Sequence, residues 1–365
     1  MPSVAIIGTR GYPSYYGGFE TAVRKLAPYL VEQGWEVTVY GRHGATKDAD
    51  PARDGRVNSR VTRGIEKKSL STLSYGLTAC LDAGRRKPDV ALVMNVANGF
   101  WLPLLRMRGI PTLVNVDGIE WEREKWGPTA KAAFMGGARL TVRWANELVY
   151  DSEEIARRWK DKFGRDGRTI AYGGETPAEM LPAEGLEQGK YALVVARFVA
   201  ENSIAEFFEA SEQLAVNHDV VIVGSSGYGG PFDEKAQELA LRFPRVKWLG
   251  HVSDDRLLHG LWQNAGAYFH GHTVGGTNPA LVQAMACGAP TVAVDTPFNH
   301  EVLGDAGVFV GRSAELIAIA LDSLLRDAAL QARLRARAVE RAKGEYTWEK
   351  ICAQYETALY ELIET

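Results

Sequence analysis

Along the whole chain, short runs of β-branched and other apolar residues alternate with longer stretches in which apolar residues recur every three or four positions. The first pattern suits strands and the second suits amphipathic helices. In the first half the strand-like runs are VAIIG at 4–8, EVTVY at 36–40, DVALVMN at 89–95, TLVNV at 112–116 and ELVYDS at 147–152. Residues 19–33 predict a helix with Val23, Leu26, Ala27 and Leu30 on one face. In the second half the runs are YALVVAR at 191–197, DVVIVG at 219–224, VKWLG at 246–250, GAYFHG at 266–271 and TVAVD at 291–295, and a last helix is expected over 347–363. Such alternation predicts parallel α/β units. The stretch 172–188, rich in Gly, Pro and Glu, separates two expected doubly wound domains, 1–172 and 173–346, facing each other across a cleft. Ligands of such sheets bind beyond the carboxyl ends of the strands.

The densest signal is HGHTVGGTNPALVQAMACGAPTVAVDTPFNHE at 270–301. Asn278 can cap a short apolar helix, Pro279 suits its first turn, where a missing N–H costs nothing, and Gly288 stops it. Free amides at a helix start, approached through Gly275 and Gly276, form a site for an anion such as a diphosphate. By itself the same pattern also suits a plain glycine-rich strand-to-helix turn.

Composition narrows the class. A chain of 365 residues exceeds one ordinary core, and 46% apolar with 24% charged residues is a globular balance. No apolar run approaches the ~18–20 residues that span a bilayer. The first residues lead directly into an apolar strand, and Cys80, Cys287 and Cys352 are too far apart for a disulfide framework or a zinc site, so a cytoplasmic location is expected. The net charge of −3 conceals an asymmetry: residues 1–175 carry 27 Lys and Arg against 20 Asp and Glu, and residues 176–365 carry 15 against 25. A basic half suits an anionic membrane surface or a phosphorylated lipid, with solvated surface charge as the lesser alternative. Segments 100–108 and 131–144 of this half mix cations with large apolar side chains, as a headgroup-facing surface or a packed helix pair would. No nucleic acid partner is expected.

QAMACG at 283–288 resembles the donor-binding signature of family 4 GT-B glycosyltransferases, whose usual form has Glu, seven residues, and a second Glu before AMACG. Gly275 and Gln283 stand at the two acidic positions. VGGTNP at 274–279, the opening block and NVDGIEWEREKW at 115–126 resemble the branch of the family that includes bacterial rhamnosyltransferases. The resemblance covers nearly the whole chain. It implies the GT-B fold, two Rossmann-like domains, with the last helix packing back on the first.

By the same resemblance Gly17 and Gly18 would admit the donor diphosphate to the first helix. Arg197 would hold pyrophosphate oxygens, with Asn202 where Lys is usual. Gly224 would lie below the nucleotide, and His251 and Val252 would frame its base. The amides of Gly275, Gly276 and Thr277, with Asn278, would lie near the sugar. Gln283 would accept from the ribose, at a loss of about 1 kcal/mol relative to a carboxylate. Asp117 would bind a sugar hydroxyl or orient the acceptor, or would simply cap the loop at Gly118.

Other chemistry is weakly signalled. Gly8-x-x-Gly11 lacks the spacing of a dinucleotide fingerprint. Asp48 and Asp50 form the only D-x-D, in a polar loop after Tyr40, Gly41, Arg42 and His43, and are read as solvated. Ser253 is expected to cap a helix starting at Asp254. No metal and no cofactor are expected. The resemblance implies transfer with retention, the donor phosphate deprotonating the acceptor hydroxyl, with domain closure excluding water. The expected donor is dTDP-L-rhamnose, and the acceptor a lipid-diphosphate-linked saccharide of a cell-surface polysaccharide, reached from the cytoplasmic face of the membrane. The alternatives are a transferase acting on a soluble small acceptor and a catalytically weakened nucleotide-sugar-binding protein.

Overall fold

The computed structural model describes every residue except 16, 47–49, 67–69, 124–125, 228 and 365. Asp48 therefore lies outside the described residues. The chain divides into two compact units, Met1–Tyr172 with Trp348–Thr365, and Gly173–Thr347.

The first unit holds seven strands: β1 (Ser3–Ile7), β2 (Glu36–Gly41), β3 (Asn58–Val61), β4 (Val90–Met94), β5 (Thr112–Asn115), β6 (Glu147–Tyr150) and β7 (Arg168–Thr169). They form one sheet in the order β3-β2-β1-β4-β5-β6-β7, and every neighbouring pair is parallel. The second unit holds β8 (Tyr191–Val195), β9 (Asp219–Val223), β10 (Val246–Trp248), β11 (Ala267–His270), β12 (Thr291–Val294) and β13 (Gly307–Val310). Its order, β10-β9-β8-β11-β12-β13, is again wholly parallel. In both sheets the order reverses beside the first strand, between β1 and β4 and between β8 and β11. That reversal opens a crevice at the carboxyl edge.

The ten strands expected from apolar runs are present: eight are shorter than expected by a residue or two, β1 is shifted by one residue, and β2 is longer by one. Central strands are buried on both faces, as VALVM in β4 and TVAV in β12 are, so only apolar residues suit them. Three edge strands lack that signature. β3 (NSRV) and β7 (RT) are polar, and β13 (GVFV) is only half-buried. Backbone pairing with β2, β6 and β12 makes them strands. One cap differs from expectation. The helix Asp255–Asn264 is capped by Asp254, whose carboxylate accepts from the amides of Arg256 (2.9 Å) and Leu257 (3.3 Å). A carboxylate also gains from the positive end of the helix, which a Ser253 hydroxyl would not.

The helix Gly18–Glu32 buries Val23, Leu26, Ala27 and Leu30 against the first sheet. The chain's last helix, Trp348–Glu364, joins the same core through Trp348, Ile351, Cys352, Tyr355, Ala358 and Leu359. Polar contacts set its register. Glu356 accepts from the Trp35 indole (3.2 Å) and the Tyr29 hydroxyl (3.1 Å), and Tyr360 packs on Trp35 at 4.6 Å between ring centroids. Burial, with the Glu356 carboxylate beside it, pushes the Tyr29 hydroxyl up to about 12. Deeper in, the Asn115 amide at the end of β5 donates to the Tyr355 hydroxyl at 2.6 Å. Among the described residues no helix is long and apolar enough to cross a membrane.

Because Glu356 serves two partly buried donors from the first helix region, Glu356→Ala is expected to cost about 1.5–3 kcal/mol in urea unfolding. Glu356→Gln, which keeps a carbonyl acceptor, should lose less. Equal, negligible losses for both would show that water replaces these bonds.

Candidate active site

In the second unit, the connections that leave the carboxyl ends of β8, β9, β10 and β11 carry all but three of the residues singled out above. Arg197 follows β8. Its side chain is exposed, and it forms no hydrogen bond or ion pair with any described residue. Its backbone is held instead. The Asn202 amide donates to the Arg197 carbonyl at 2.9 Å, and Asn202 itself is buried. Asn202 thus shapes the loop that presents Arg197, and its Nδ2 does not face a ligand.

Gly224, after β9, has φ of +138°, and a Cβ there would lie 1.8 Å from the Ala196 carbonyl oxygen. Only glycine lets the loops after β8 and β9 approach this closely. The Gly224 carbonyl accepts from the Trp248 indole at 2.9 Å. His251 is exposed and Val252 half-buried in the loop after β10.

After β11, Gly275 adopts φ of +119° with open space where a Cβ would point. Here the backbone conformation, not crowding, calls for glycine. Thr277 is buried, and Asn278 caps the helix Pro279–Ala286 by accepting from the Ala280 amide at 3.0 Å. The helix start read from the sequence, with Asn278 as its cap and Pro279 in the first turn, is present.

Gln283 is placed differently from the resemblance. Its carbonyl accepts from the Glu175 amide (3.0 Å), and its Nε2 donates to the Glu175 carbonyl (2.8 Å) and to Cys287 Sγ (3.4 Å). The side chain pairs with backbone as one strand pairs with another. Both groups expected at the ribose are therefore engaged with the segment around Gly174, whose amide donates to the Tyr346 carbonyl at 2.7 Å.

His270, at the end of β11, was not foreseen. It is buried, bonded through Nδ1 to the Tyr268 hydroxyl at 3.1 Å, and stacked on His272 at 4.4 Å. Burial, with a smaller contribution from His272, holds its imidazole well below the usual histidine range. A neutral ring thus underlies the glycine loop. The HxH spacing is visible in the sequence, but only packing shows that the first ring is enclosed.

In the first unit the remaining three residues lie at the carboxyl edge of the other sheet. Gly17 is the N-cap of the helix Gly18–Glu32, with φ of −171°. That extended backbone suits any residue, so what glycine leaves there is room at the helix start. Asp117, after β5, has φ of +70°, and Asn95, after the neighbouring β4, has φ of +73°. Left-handed backbone at a non-glycine residue costs roughly 1–2 kcal/mol, and such strain collects at ligand sites. The pair is tied together. Asn95 Nδ2 donates to Asp117 Oδ2 at 3.4 Å, and the Asp117 amide donates to Asn115 Oδ1 at 2.9 Å. Asn95 was missed by the sequence reading; its signal is an Asn, tolerant of this conformation, directly after an apolar strand. Asp50 accepts from the Tyr15 hydroxyl (3.0 Å) and the Ala52 amide (2.9 Å). Among the described residues no group of three or more His, Cys, Asp or Glu side chains gathers as a metal site would.

Comparison with known proteins follows the two units. Residues 17–173 match the glycosyl transferase 4-like domain, and residues 179–343 match the glycosyl transferases group 1 family. The O-antigen chain mannosyltransferase B of Escherichia coli is 27% identical over 194 residues. That match spans only half of this chain and half of that protein. Sucrose-phosphate synthase from Thermosynechococcus elongatus superposes with a TM-score of 0.81 at 17% identity, over 100% of both chains. The Anabaena protein HepE, solved with UDP and glucose, superposes with a TM-score of 0.78 at 16% identity, over 99% of each. A 4-like domain followed by a group 1 domain, on two parallel sheets of this order, makes the chain a GT-B glycosyltransferase.

Proposed function

We propose that the protein transfers a hexose, with retention, from a nucleoside diphosphate sugar bound by the second unit to a saccharide bound by the first, in cell-surface polysaccharide synthesis. The observation that carries this reading is the pairing of an unengaged Arg197 guanidinium with the glycine-led helix start at 275–279, on one edge of one parallel sheet. Complexes of HepE with UDP and glucose support a nucleotide-sugar donor, and the O-antigen mannosyltransferase supports the polysaccharide context. The finer identification, L-rhamnose from dTDP-L-rhamnose and a lipid-diphosphate-linked acceptor, rests on VGGTNP at 274–279 and on NVDGIEWEREKW at 115–126.

In this reaction the bond from the anomeric carbon to the donor phosphate breaks as charge develops on the leaving diphosphate. Arg197 and the amides of residues 275–277 stabilise that charge, as fixed donors at a reacting centre do. A donor phosphate oxygen takes the acceptor proton while the acceptor oxygen bonds to the same face of the sugar. His251 and Val252 flank the base, Gly224 keeps the nucleotide floor free of side chains, and Gly17 and Gly18 give access to the first helix. Asn95 holds Asp117 toward a sugar hydroxyl. Charge neutralisation by Arg197 and backbone amides leaves no role for a divalent ion. The second reading, a weakened nucleotide-sugar-binding protein, draws on Asn202 and Gln283, whose amides bond backbone where the family has charged side chains.

The membrane-facing proposal concerns the first unit. Met107 is 73% exposed between exposed Arg106 and Arg108, and on the helix Pro128–Trp144 Arg139 and Arg143 are exposed, the latter 5.3 Å from the Trp144 ring. Cations beside apolar side chains suit an anionic headgroup layer, at about 1 kcal/mol per cation before screening.

Three outcomes are expected. Transfer from a nucleoside diphosphate sugar persists in EDTA and falls at least ~100-fold in Arg197→Ala, since one fixed donor is commonly worth 2.7–4 kcal/mol; nucleotide binding without transfer would favour the weakened-protein reading. Gln283→Glu loses the bond to the Glu175 carbonyl and sets a carboxylate against it. It should therefore lower stability by about 1–3 kcal/mol without tightening nucleotide binding. Undiminished stability with tighter binding would return Gln283 to the ribose. Anionic vesicles should sediment the protein at low salt and release it at high salt, and Arg106→Glu with Arg108→Glu should weaken capture; no capture at any salt would favour a soluble acceptor.

A further inference from the structure

Arg42 follows β2 in the first unit, and it lines a recess with Thr9, Thr62, Thr72 and Tyr75. The recess is partly open to solvent, and its enclosed part has room for about one water, so a ligand's phosphate would sit at its mouth and a sugar chain would not enter it. Its floor is the carboxyl end of β1, β2 and β3, and one wall is the start of the helix Ser71–Arg86. The position is fixed by backbone, because the Arg42 amide donates to the Arg10 carbonyl at 2.8 Å.

The guanidinium is half-buried, yet it forms no ion pair with any described residue. Its terminal nitrogens donate only to neutral hydroxyls, Ser71 Oγ at 3.3 Å and Thr72 Oγ1 at 3.5 Å, both long. Its Nε–H is buried without an acceptor, and its flat face lies 5.2 Å from the Tyr75 ring. Removing a cation from water without a paired counter-charge is costly. Glu66 and Glu20 favour the charge only from beyond ion-pair distance, while burial and the neighbouring Arg10 oppose it. Leu70, at the helix's N-cap position, has no side-chain oxygen, and the first helical turn carries no acid. The Ser71 and Thr72 hydroxyls accept from Arg42, so each keeps its own proton to donate. A guanidinium without its anion, two hydroxyl donors beside it and a helix start together match the several acceptor oxygens of a phosphate.

We propose that this recess binds the phosphate group of the acceptor, with Arg42 and Thr72 as its ligands. The proposal rests on the reading of the first unit as the acceptor side, and it explains how a phosphate-linked saccharide would be held apart from the donor's own diphosphate. A purely structural Arg42, stapling β2 to the helix start, would need no ligand, and the two accounts differ in what phosphate does.

Thermal unfolding is followed in rising inorganic phosphate for the wild type, Arg42→Gln and Thr62→Glu. The second variant places a carboxylate in the recess beside Arg42, so it blocks the site while giving the guanidinium a partner, and it guards against loss of the fold. Phosphate bound at the donor site contributes equally to all three proteins. A phosphate-dependent rise in Tm in the wild type that both variants lose supports the recess. An equal rise in all three, or none in the wild type, overturns it. With a phosphate-bearing acceptor, Arg42→Gln should raise the acceptor KM about tenfold or more and leave donor KM and kcat nearly unchanged. An unmoved acceptor KM, with phosphate binding lost, would assign the recess to free phosphate and overturn the acceptor claim. Absence of transfer by the wild type would instead defeat the transferase reading, leaving the phosphate titration to decide the recess.

Discussion

Every strand pair in both sheets is parallel, and that one constraint organises the rest. Parallel strands all end at the same edge, so each connection leaving that edge is available for ligand contact and each returning helix covers a face. The central strands are then buried on both sides and admit little besides Val, Ile, Leu and Ala. The polar and glycine residues singled out follow the strand ends: Asn95 after β4, Asp117 after β5, Arg197 after β8 and Gly224 after β9, each within two residues, and Gly275 five residues after β11. The apolar strands contribute position, and the loops contribute charge and donors.

Beyond those strand ends several residues hold positive φ. Gly224 is required because the neighbouring loop carbonyl fills the space of a Cβ, whereas Gly275 is required by its dihedral angle alone. Asn95 and Asp117 reach left-handed conformations without being glycine, and the surrounding bonds through Asn115 and Tyr355 hold them there. Tyr355 belongs to the last helix, so the chain's end helps to set the geometry of a loop 240 residues earlier. Stability and site geometry in the first unit are therefore coupled through one helix.

The charges divide by partner in the same way. Arg197 is exposed, and its side chain is unengaged among the described residues; the proposed function gives it the leaving diphosphate. Asn202 and Gln283, where charged side chains are usual in the family, have turned inward to bond backbone. The polar groups are thereby satisfied locally, since a buried amide left without partners would cost more than the bond it forms. His270 follows the opposite course. It is enclosed at the end of β11 and kept neutral by burial.

What the sequence by itself determined was everything that depends on near neighbours. Apolar periodicity marked ten of the thirteen strands and the face of the helix Gly18–Glu32. Asn278, Pro279 and Gly288 marked the start and stop of the helix Pro279–Ala286, because capping and turn chemistry act within a few residues. The edge strands β3 and β7 were invisible, because polar residues become a strand there only through pairing with a neighbour. Local spacing also pointed to Ser253 as a cap, where the backbone selected Asp254. Tertiary structure alone decided the pairing of Gln283 with Glu175, 108 residues away, the enclosure of His270 and the isolation of Arg42 in its recess. Each of these depends on which atoms distant segments bring together, and burial or hydrogen bonding of that kind leaves no periodic trace in the residues concerned.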